Sequence, residues 1–107
     1  MSIAWVYLFA AGLLEICWVL GMKYSQGFTK LGPSVFTIIT LSFSMYLLAK
    51  SVSVIPVGTA YGIWVGIGAI GAAAMGIFLF HEPVTPFRLI FLGMLFVAII
   101  GLKLTAA

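Results

Sequence analysis

Long apolar runs separated by short polar segments dominate this sequence. Four such runs cover residues of about 3–22, 34–49, 57–80 and 87–105. A helix needs about 20 residues to cross the ~30 Å hydrocarbon core of a bilayer, and the runs approach or reach that length. None of them alternates apolar and polar residues, as membrane β-strands do. The pattern therefore predicts four membrane-spanning helices.

The polar segments carry residues that end helices. The first, "KYSQGFTKLGP", contains Gly27 and Pro33, and the third, "HEPVTP", contains two prolines. Pro56 precedes the third run, where proline suits the first turn of a helix. Short connections favour antiparallel neighbours. We therefore expect an all-α membrane protein, with four transmembrane helices in one small bundle and a single transmembrane domain over residues 1–107.

Composition leaves the bilayer as the only plausible solvent. The charged fraction is 7% and the mean hydropathy is +1.32, whereas soluble proteins carry roughly a quarter charged residues. The net charge of +3 comes from basic residues that stand singly along the chain, so it indicates no nucleic-acid partner. The N-terminus has no basic segment and its apolar run contains a glutamate. We therefore expect it to remain in the mature protein.

The basic residues do not decide the orientation of the chain in the membrane. With four spans, Lys50 and Lys103 lie on one side, and Lys23, Lys30 and Arg88 lie on the other. The positive-inside rule separates two charges from three only weakly. Two alternatives remain: a single topology, or insertion both ways, so that oppositely oriented copies pair. Side chains fill the centre of a four-helix bundle, so a solute path would require an oligomer.

Small residues form rows in the third run. Gly58, Gly62 and Gly66 stand four residues apart, and a second row follows at Gly68, Ala72 and Gly76. This spacing places each row on one helix face, where two backbones can approach closely. We interpret the rows as packing surfaces. The alternative is a bend at mid-span that serves a gating motion.

The fourth run has no polar side chain between Arg88 and Lys103. It therefore offers nothing to bind a solute. Its recurring feature is one face that carries Gly93, Val97 and Gly101. Small residues on one face are typical of contacts between membrane helices. We predict that this helix contacts a second copy of the chain.

One of the two carboxylates, Glu15, lies in the middle of the first run. Ionisable residues are costly at this depth, so they usually face an internal cavity and have a function. A low dielectric disfavours the charged form of a carboxyl group. Glu15 could therefore hold a proton or exchange it for a cation. The alternative is a neutral glutamate that makes a hydrogen bond between helices.

Aromatic and hydroxyl residues accompany this acid at helical spacing. Trp18 lies at i+3 from Glu15, and the third run repeats the spacing with two further aromatic residues. Aromatic faces attract cations, and an indole N–H can donate to a carboxylate. The spans lack the mid-depth Lys or Arg that an anion site would need. The predicted small-cation site comprises an acid, three aromatics, a hydroxyl and a glycine: Glu15, Trp18, Tyr61, Trp64, Ser44 and Gly12.

The remaining acid, Glu82, stands in the third polar segment beside His81 and two prolines. We expect a solvated loop charge or a group at a helix N-terminus. The sequence shows no metal-ligand spacing, nucleophile elbow or phosphate loop, and its single cysteine, Cys17, cannot form an internal disulfide. We therefore expect a protein that is not an enzyme and that uses neither a metal nor a cofactor.

The chain resembles the small multidrug resistance family along its full length. The resemblance lies in "AAGLLEICWVLGMKYSQGFTKLGPS", "PVGTAYGIWVGIGAIGA" and the closing "IIGLKL". Within the family it is most similar to the guanidinium-exporter subtype. That similarity rests on the E-x-x-W arrangement of Glu15 and Trp18, "KY" after the first run, Ser44, and "GLK" near the end.

The resemblance implies an antiparallel, dual-topology homodimer in the bacterial inner membrane, which exports guanidinium by alternating access while protons flow inward. It implies that Glu15 of both subunits binds either protons or substrate. Tyr61 would be a gate that also orients the carboxylate. Trp18, Ser44 and Trp64 would form the shell around it, and Gly12 would leave space in the cavity.

Two positions depart from the family pattern. Val65 stands where the family commonly has Thr or Ser, and Gly62 stands where Ala is usual. The departure at Val65 affects the expected substrate selectivity, and the departure at Gly62 affects the expected stiffness of the helix. The alternatives are an exporter of small quaternary ammonium or broader drug cations, a passive channel, and an accessory membrane subunit. Some relatives also work as unequal pairs, so a heterodimer is possible.

Overall fold

The structure, a computed structural model, describes residues 3–105 and contains four helices. They are α1 (Ile3–Tyr24), α2 (Leu31–Val52), α3 (Val57–Phe80) and α4 (Pro86–Thr105). Each is long and apolar enough to cross a membrane, and the described residues form no strand. The predicted all-α membrane fold with four helices is therefore confirmed. The outermost residues of the domain predicted over 1–107 lie outside the described range.

The second helix is longer than the range of 34–49 expected from the apolar run. It begins at Leu31, so that Pro33 lies within its first turn. Proline is tolerated there because the first N–H groups of a helix have no partner within it. At the other end the helix continues past Lys50 to Val52. A lysine in the last turn interacts favourably with the helix dipole, so its charge does not end the helix.

Two connections use left-handed backbone geometry. Gln26, Gly27 and Phe28 all have positive φ angles between α1 and α2. At the end of α3, His81 has φ 54° and ψ 37°, and its backbone N–H donates to the carbonyl of Gly76. The next N–H, that of Glu82, donates to the same carbonyl at 3.2 Å. Such a cap ends the helix abruptly and satisfies one of its last carbonyl groups.

The helix α1 lies against both α2 and α3, while α2 and α3 touch each other less. The interior is small. Its buried apolar residues come from the first three helices, from Ile55 in the α2–α3 connection and from one residue of the fourth helix. Leu8 and Ile63 are fully buried at its centre. Within residues 3–105, α3 is the only helix that packs closely along α4, and Ile99 is the only buried residue of α4.

The mid-span glycines of α3 receive large side chains from the two neighbouring helices, α1 and α4. A Cβ atom at Gly66 would lie 2.7 Å from Cδ1 of Ile99 on α4, and one at Gly71 would overlap the side chain of Ile16 on α1. Since carbon atoms pack no closer than about 3.5 Å, these contacts exist only because the side chains are absent. In this conformation α3 is one continuous helix. Its mid-span glycines pack against α1 and α4, whereas Gly58 meets no neighbour within 4 Å.

The outer face of α4 meets no other helix within the described part of the protomer. Cβ atoms added at Gly93 or Gly101 would have no neighbour within 4 Å, and Val97 between them is 66% exposed. The face predicted to contact a second copy is therefore open in the single chain.

Candidate cation site

Glu15 lies directly against the backbone of α3. A Cβ atom at Gly68 would overlap the carboxyl group of Glu15 and would stand 2.8 Å from its Cγ atom. Glycine at this position therefore lets the carboxyl group lie between the two helices. The Oε2 atom of Glu15 is buried and has no hydrogen-bond partner among the described residues. The acid is thus packed on one side and unsatisfied at one oxygen.

Trp18 supplies a second unsatisfied polar atom on the same face of α1. Its Nε1 atom is buried and has no hydrogen-bond partner within residues 3–105. Leaving a buried donor or acceptor unpaired costs about 1–3 kcal/mol, and native proteins keep few such groups. One unpaired acceptor and one unpaired donor, three residues apart on one helix, make this face of α1 the candidate position for a ligand.

A hydrogen-bonded junction joins α1, α2 and α3 beside these residues. The indole N–H of Trp64 donates to Oγ of Ser44 at 3.0 Å. The hydroxyl group of Ser44 in turn donates to the backbone carbonyl of Ala11 at 2.7 Å. Ser44 is fully buried and Trp64 is nearly so. Since buried polar groups are strongly held when they are satisfied, this junction fixes the orientation of the Trp64 ring.

Tyr61 extends from this junction towards an open face. Its ring centroid lies 5.7 Å from that of Trp64, and the two planes are tilted by 42°. The side chain is 57% exposed, and Val65, one turn further along α3, is also exposed. Tyr61 is therefore held at one end by Trp64 and is free at the other. Its position is consistent with a movable side chain.

Gly12 does not border open space in this protomer. A Cβ atom there would lie 2.8 Å from Cγ2 of Ile67 on α3. The glycine lets α1 and α3 approach each other one turn from the contact between Glu15 and Gly68. Its implied role of leaving room in a cavity remains a prediction, because Ile67 fills that room here.

The second acid, Glu82, is not a free loop charge. Its Oε1 atom accepts a hydrogen bond from Nη2 of Arg88 at 3.1 Å, and both side chains are partly exposed. Glu82 lies at the α3–α4 connection, away from the junction of Ser44 and Trp64. Within the described range no three His, Cys, Asp or Glu residues come close enough to hold a metal ion.

The structure brings most of the predicted site residues into two adjoining groups. Glu15 and Trp18 form one on α1, and Ser44, Trp64 and Tyr61 form the other. Sequence analysis assigned Gly68 to a packing row and missed its contact with Glu15. The four-residue spacing showed that α3 has a small-residue face, but not which side chain of α1 lies on it.

The sequence of this chain matches known proteins along most of its length. Residues 3–95 match the family described as "Small Multidrug Resistance protein". A guanidinium exporter of Salmonella typhimurium is 52% identical over 103 residues, which cover 96% of this chain and 98% of the relative. A guanidinium exporter of Citrobacter freundii is 49% identical over 102 residues, which cover 95% of this chain and 97% of the relative.

A third relative, a guanidinium exporter of Yersinia pseudotuberculosis, is 47% identical over 96% of this chain and 99% of its own length. These relatives are bacterial, and they match the chain across all four helices. The protein is therefore a multi-pass bacterial membrane protein. By its sequence match over residues 3–95, it belongs to the small multidrug resistance family.

Proposed function

We propose that this protein is an antiporter that exports guanidinium and related small guanidinyl cations in exchange for protons. The observation that carries the proposal is the mid-span carboxyl group of Glu15, which has a buried and unpartnered oxygen. The names of the relatives, which are guanidinium exporters, support the choice of substrate. The names of the family and the relatives indicate a transporter and not an enzyme.

The chemistry of guanidinium suits this site. The ion is planar, positively charged at neutral pH and rich in N–H donors, which match the two oxygens of a carboxylate. The aromatic rings of Trp18 and Trp64 offer faces that attract cations. A larger drug cation would need a roomier site than one in which Ile67 closely covers Gly12.

Exchange follows from the cost of an isolated charge. An ionised carboxylate buried without a partner is strongly unfavourable in a low dielectric. Glu15 is therefore most stable when it carries either a proton or a bound cation. If the protein changes its accessibility mainly when Glu15 carries a proton or a bound cation, guanidinium moves outward as protons move inward.

The other site residues have supporting roles in this proposal. Tyr61 is the gate, because it is exposed at one end and rests on Trp64 at the other. Ser44 holds Trp64 through the hydrogen bond at 3.0 Å. Trp18 lies beside the acid and presents its N–H to substrate or carboxylate. Gly12 allows the close approach of α1 and α3.

The working unit in this proposal is an antiparallel homodimer. One protomer is too small to enclose a path of its own, and a second copy would add a second Glu15 to the site. The open face of Gly93, Val97 and Gly101 on α4 is suited to contact between copies. The nearly balanced basic residues support insertion in both orientations.

Transport in liposomes tests the proposed reaction. With an imposed pH gradient, guanidinium should accumulate against its concentration gradient, and tetramethylammonium should not. Accumulation of tetramethylammonium without guanidinium would instead indicate an exporter of quaternary ammonium ions. Guanidinium flux that the pH gradient cannot drive uphill would indicate a channel. No flux of either ion would indicate an accessory subunit.

Labelling from each side of the membrane tests the antiparallel arrangement. In a Cys17→Ser background, Ser53→Cys and Val84→Cys place thiols at exposed positions on opposite ends of α3. If the chain inserts both ways, an impermeant maleimide will label each variant to about half from either side. If Ser53→Cys is labelled from one side only and Val84→Cys from the other, the antiparallel dimer is wrong.

A further inference from the structure

A cleft of about 280 Å³ opens at the end of the bundle where α1 and α3 finish and α4 begins. Its lining has two parts. One is charged and consists of Lys23, Glu82 and Arg88. The other is apolar and is formed by small or aliphatic side chains of α1 and α3, among them Val19, Leu20, Ala72 and Ala73.

The two parts lie at different depths. Lys23 is in the last turn of α1 and Arg88 is in the first turn of α4, so both are at the boundary of the bilayer. Val19 and Ala73 lie one to two turns closer to the middle of their helices. Phospholipids place their phosphate groups at this boundary and their acyl chains below it. The charged part of the cleft therefore lies at the depth of the phosphate groups, and the apolar part lies at the depth of the chains.

The charged part carries an excess of one positive charge. Glu82 offsets one cation by its contact with Nη2 of Arg88 at 3.1 Å, but a guanidinium group has five N–H donors and keeps others free. Nζ of Lys23 lies 5.4 Å from the centroid of the Phe80 ring, and it forms no ion pair among residues 3–105.

The carboxylate is held at one wall of the cleft. A Cβ atom at Gly76 would overlap Glu82, so this side chain lies directly on the backbone of α3. Glu82 therefore positions Arg88 and leaves the space between Arg88 and Lys23 to a ligand of negative charge.

We propose that this cleft binds one anionic phospholipid, whose phosphate contacts Lys23 and Arg88 and whose acyl chain covers Val19, Leu20 and Ala73. Basic pockets between membrane helices are suited to anionic head groups. The excess positive charge disfavours a cation, and the apolar depth favours a lipid over free phosphate. The site is separate from Glu15 and does not depend on the proposed transport reaction.

Native mass spectrometry of the purified protein tests the proposal directly. The probes are palmitoyl-oleoyl phosphatidylglycerol and the phosphatidylcholine with the same chains. We expect the protein to retain phosphatidylglycerol at least about tenfold more than phosphatidylcholine, because charge-assisted hydrogen bonds to the head group strengthen binding by about that factor. Lys23→Gln with Arg88→Gln should remove this preference. Lys30→Gln, which alters a basic residue at the same end but outside the cleft, should keep it.

Two further variants distinguish the site from general lipid adhesion and from misfolding. Glu82→Gln removes the negative charge that lines the cleft. It should therefore increase the retention of phosphatidylglycerol, which is the opposite of what unfolding would cause. Ala73→Leu fills the apolar part of the cleft without changing any charge, and it should lower the retention of phosphatidylglycerol. Equal retention of the two lipids, or an equal loss in Lys30→Gln, would overturn the proposal. Displacement of the lipid by millimolar glycerol phosphate would also overturn it, by indicating a free-phosphate site.

Discussion

Glu15→Gln is expected to abolish proton-driven accumulation of guanidinium in liposomes. The variant keeps the shape of the side chain but can neither carry a charge nor exchange a proton. Hydrogen bonds to a charged group contribute about 1.5–3 kcal/mol, so guanidinium affinity should fall by roughly 10- to 100-fold. Coupling should be lost completely, because the proton and the cation no longer compete for one group. The measurements are radiolabelled uptake and proton release on binding in weak buffer.

The second carboxylate provides the matched control. Glu82→Gln also removes one negative charge, but from the α3–α4 connection, where Glu82 pairs with Arg88. It should leave proton release on guanidinium binding unchanged. Glu15→Asp should retain coupling with weaker binding, because it withdraws the carboxyl group by one methylene from Gly68. Uphill transport by Glu15→Gln would refute the role of Glu15.

Gly68→Ala is expected to reduce transport at least about tenfold and to destabilise the protein. The added methyl group would overlap the carboxyl group of Glu15, so either that group or α1 must move. Overpacking of this kind typically costs about 1–3 kcal/mol. Displacement of the carboxyl group should also weaken guanidinium binding. Binding is measured by titration calorimetry, and stability by unfolding in detergent.

Variants of two other glycines on α3 distinguish the loss of stability from the loss of guanidinium binding. Gly71→Ala would press on Ile16, a purely apolar neighbour on α1, so it should lower stability with little effect on binding by the folded protein. Gly58→Ala meets open space and lies in the first turn of α3, so it should change stability by less than the ~0.5–1 kcal/mol typical of a glycine in mid-helix. If Gly68→Ala and Gly71→Ala weaken binding equally, Gly68 has no special relation to Glu15 and only the packing of α1 on α3 matters.

The helices could be predicted because the bilayer sets their length. Runs of apolar residues with few charges indicated all four spans, and the prolines and glycines marked the connections. The start of α2 was harder, since Pro33 ends a helix in one context and lies in the first turn in another. Its apolar pattern alone does not distinguish the two.

Sequence analysis named the residues of the candidate site but not most of the contacts between them. The unusual depth of Glu15 identified the acid, and sequence analysis grouped Ser44 with Trp64, which the structure joins by a hydrogen bond at 3.0 Å. The contacts of Glu15 with Gly68 and of Gly12 with Ile67 depend on how α1 is rotated and placed along α3. Helical periodicity shows which residues share a face, but it cannot pair two faces from different helices.

The position of α4 has a consequence for how such proteins diversify after gene duplication. This helix packs closely along α3 alone within the described protomer, and it supplies none of the residues around Glu15. If copies associate through its face of Gly93, Val97 and Gly101, mutations there change partner choice without altering the chemistry at Glu15. Selection can then separate two duplicated chains into obligate pairs while both keep the ancestral substrate.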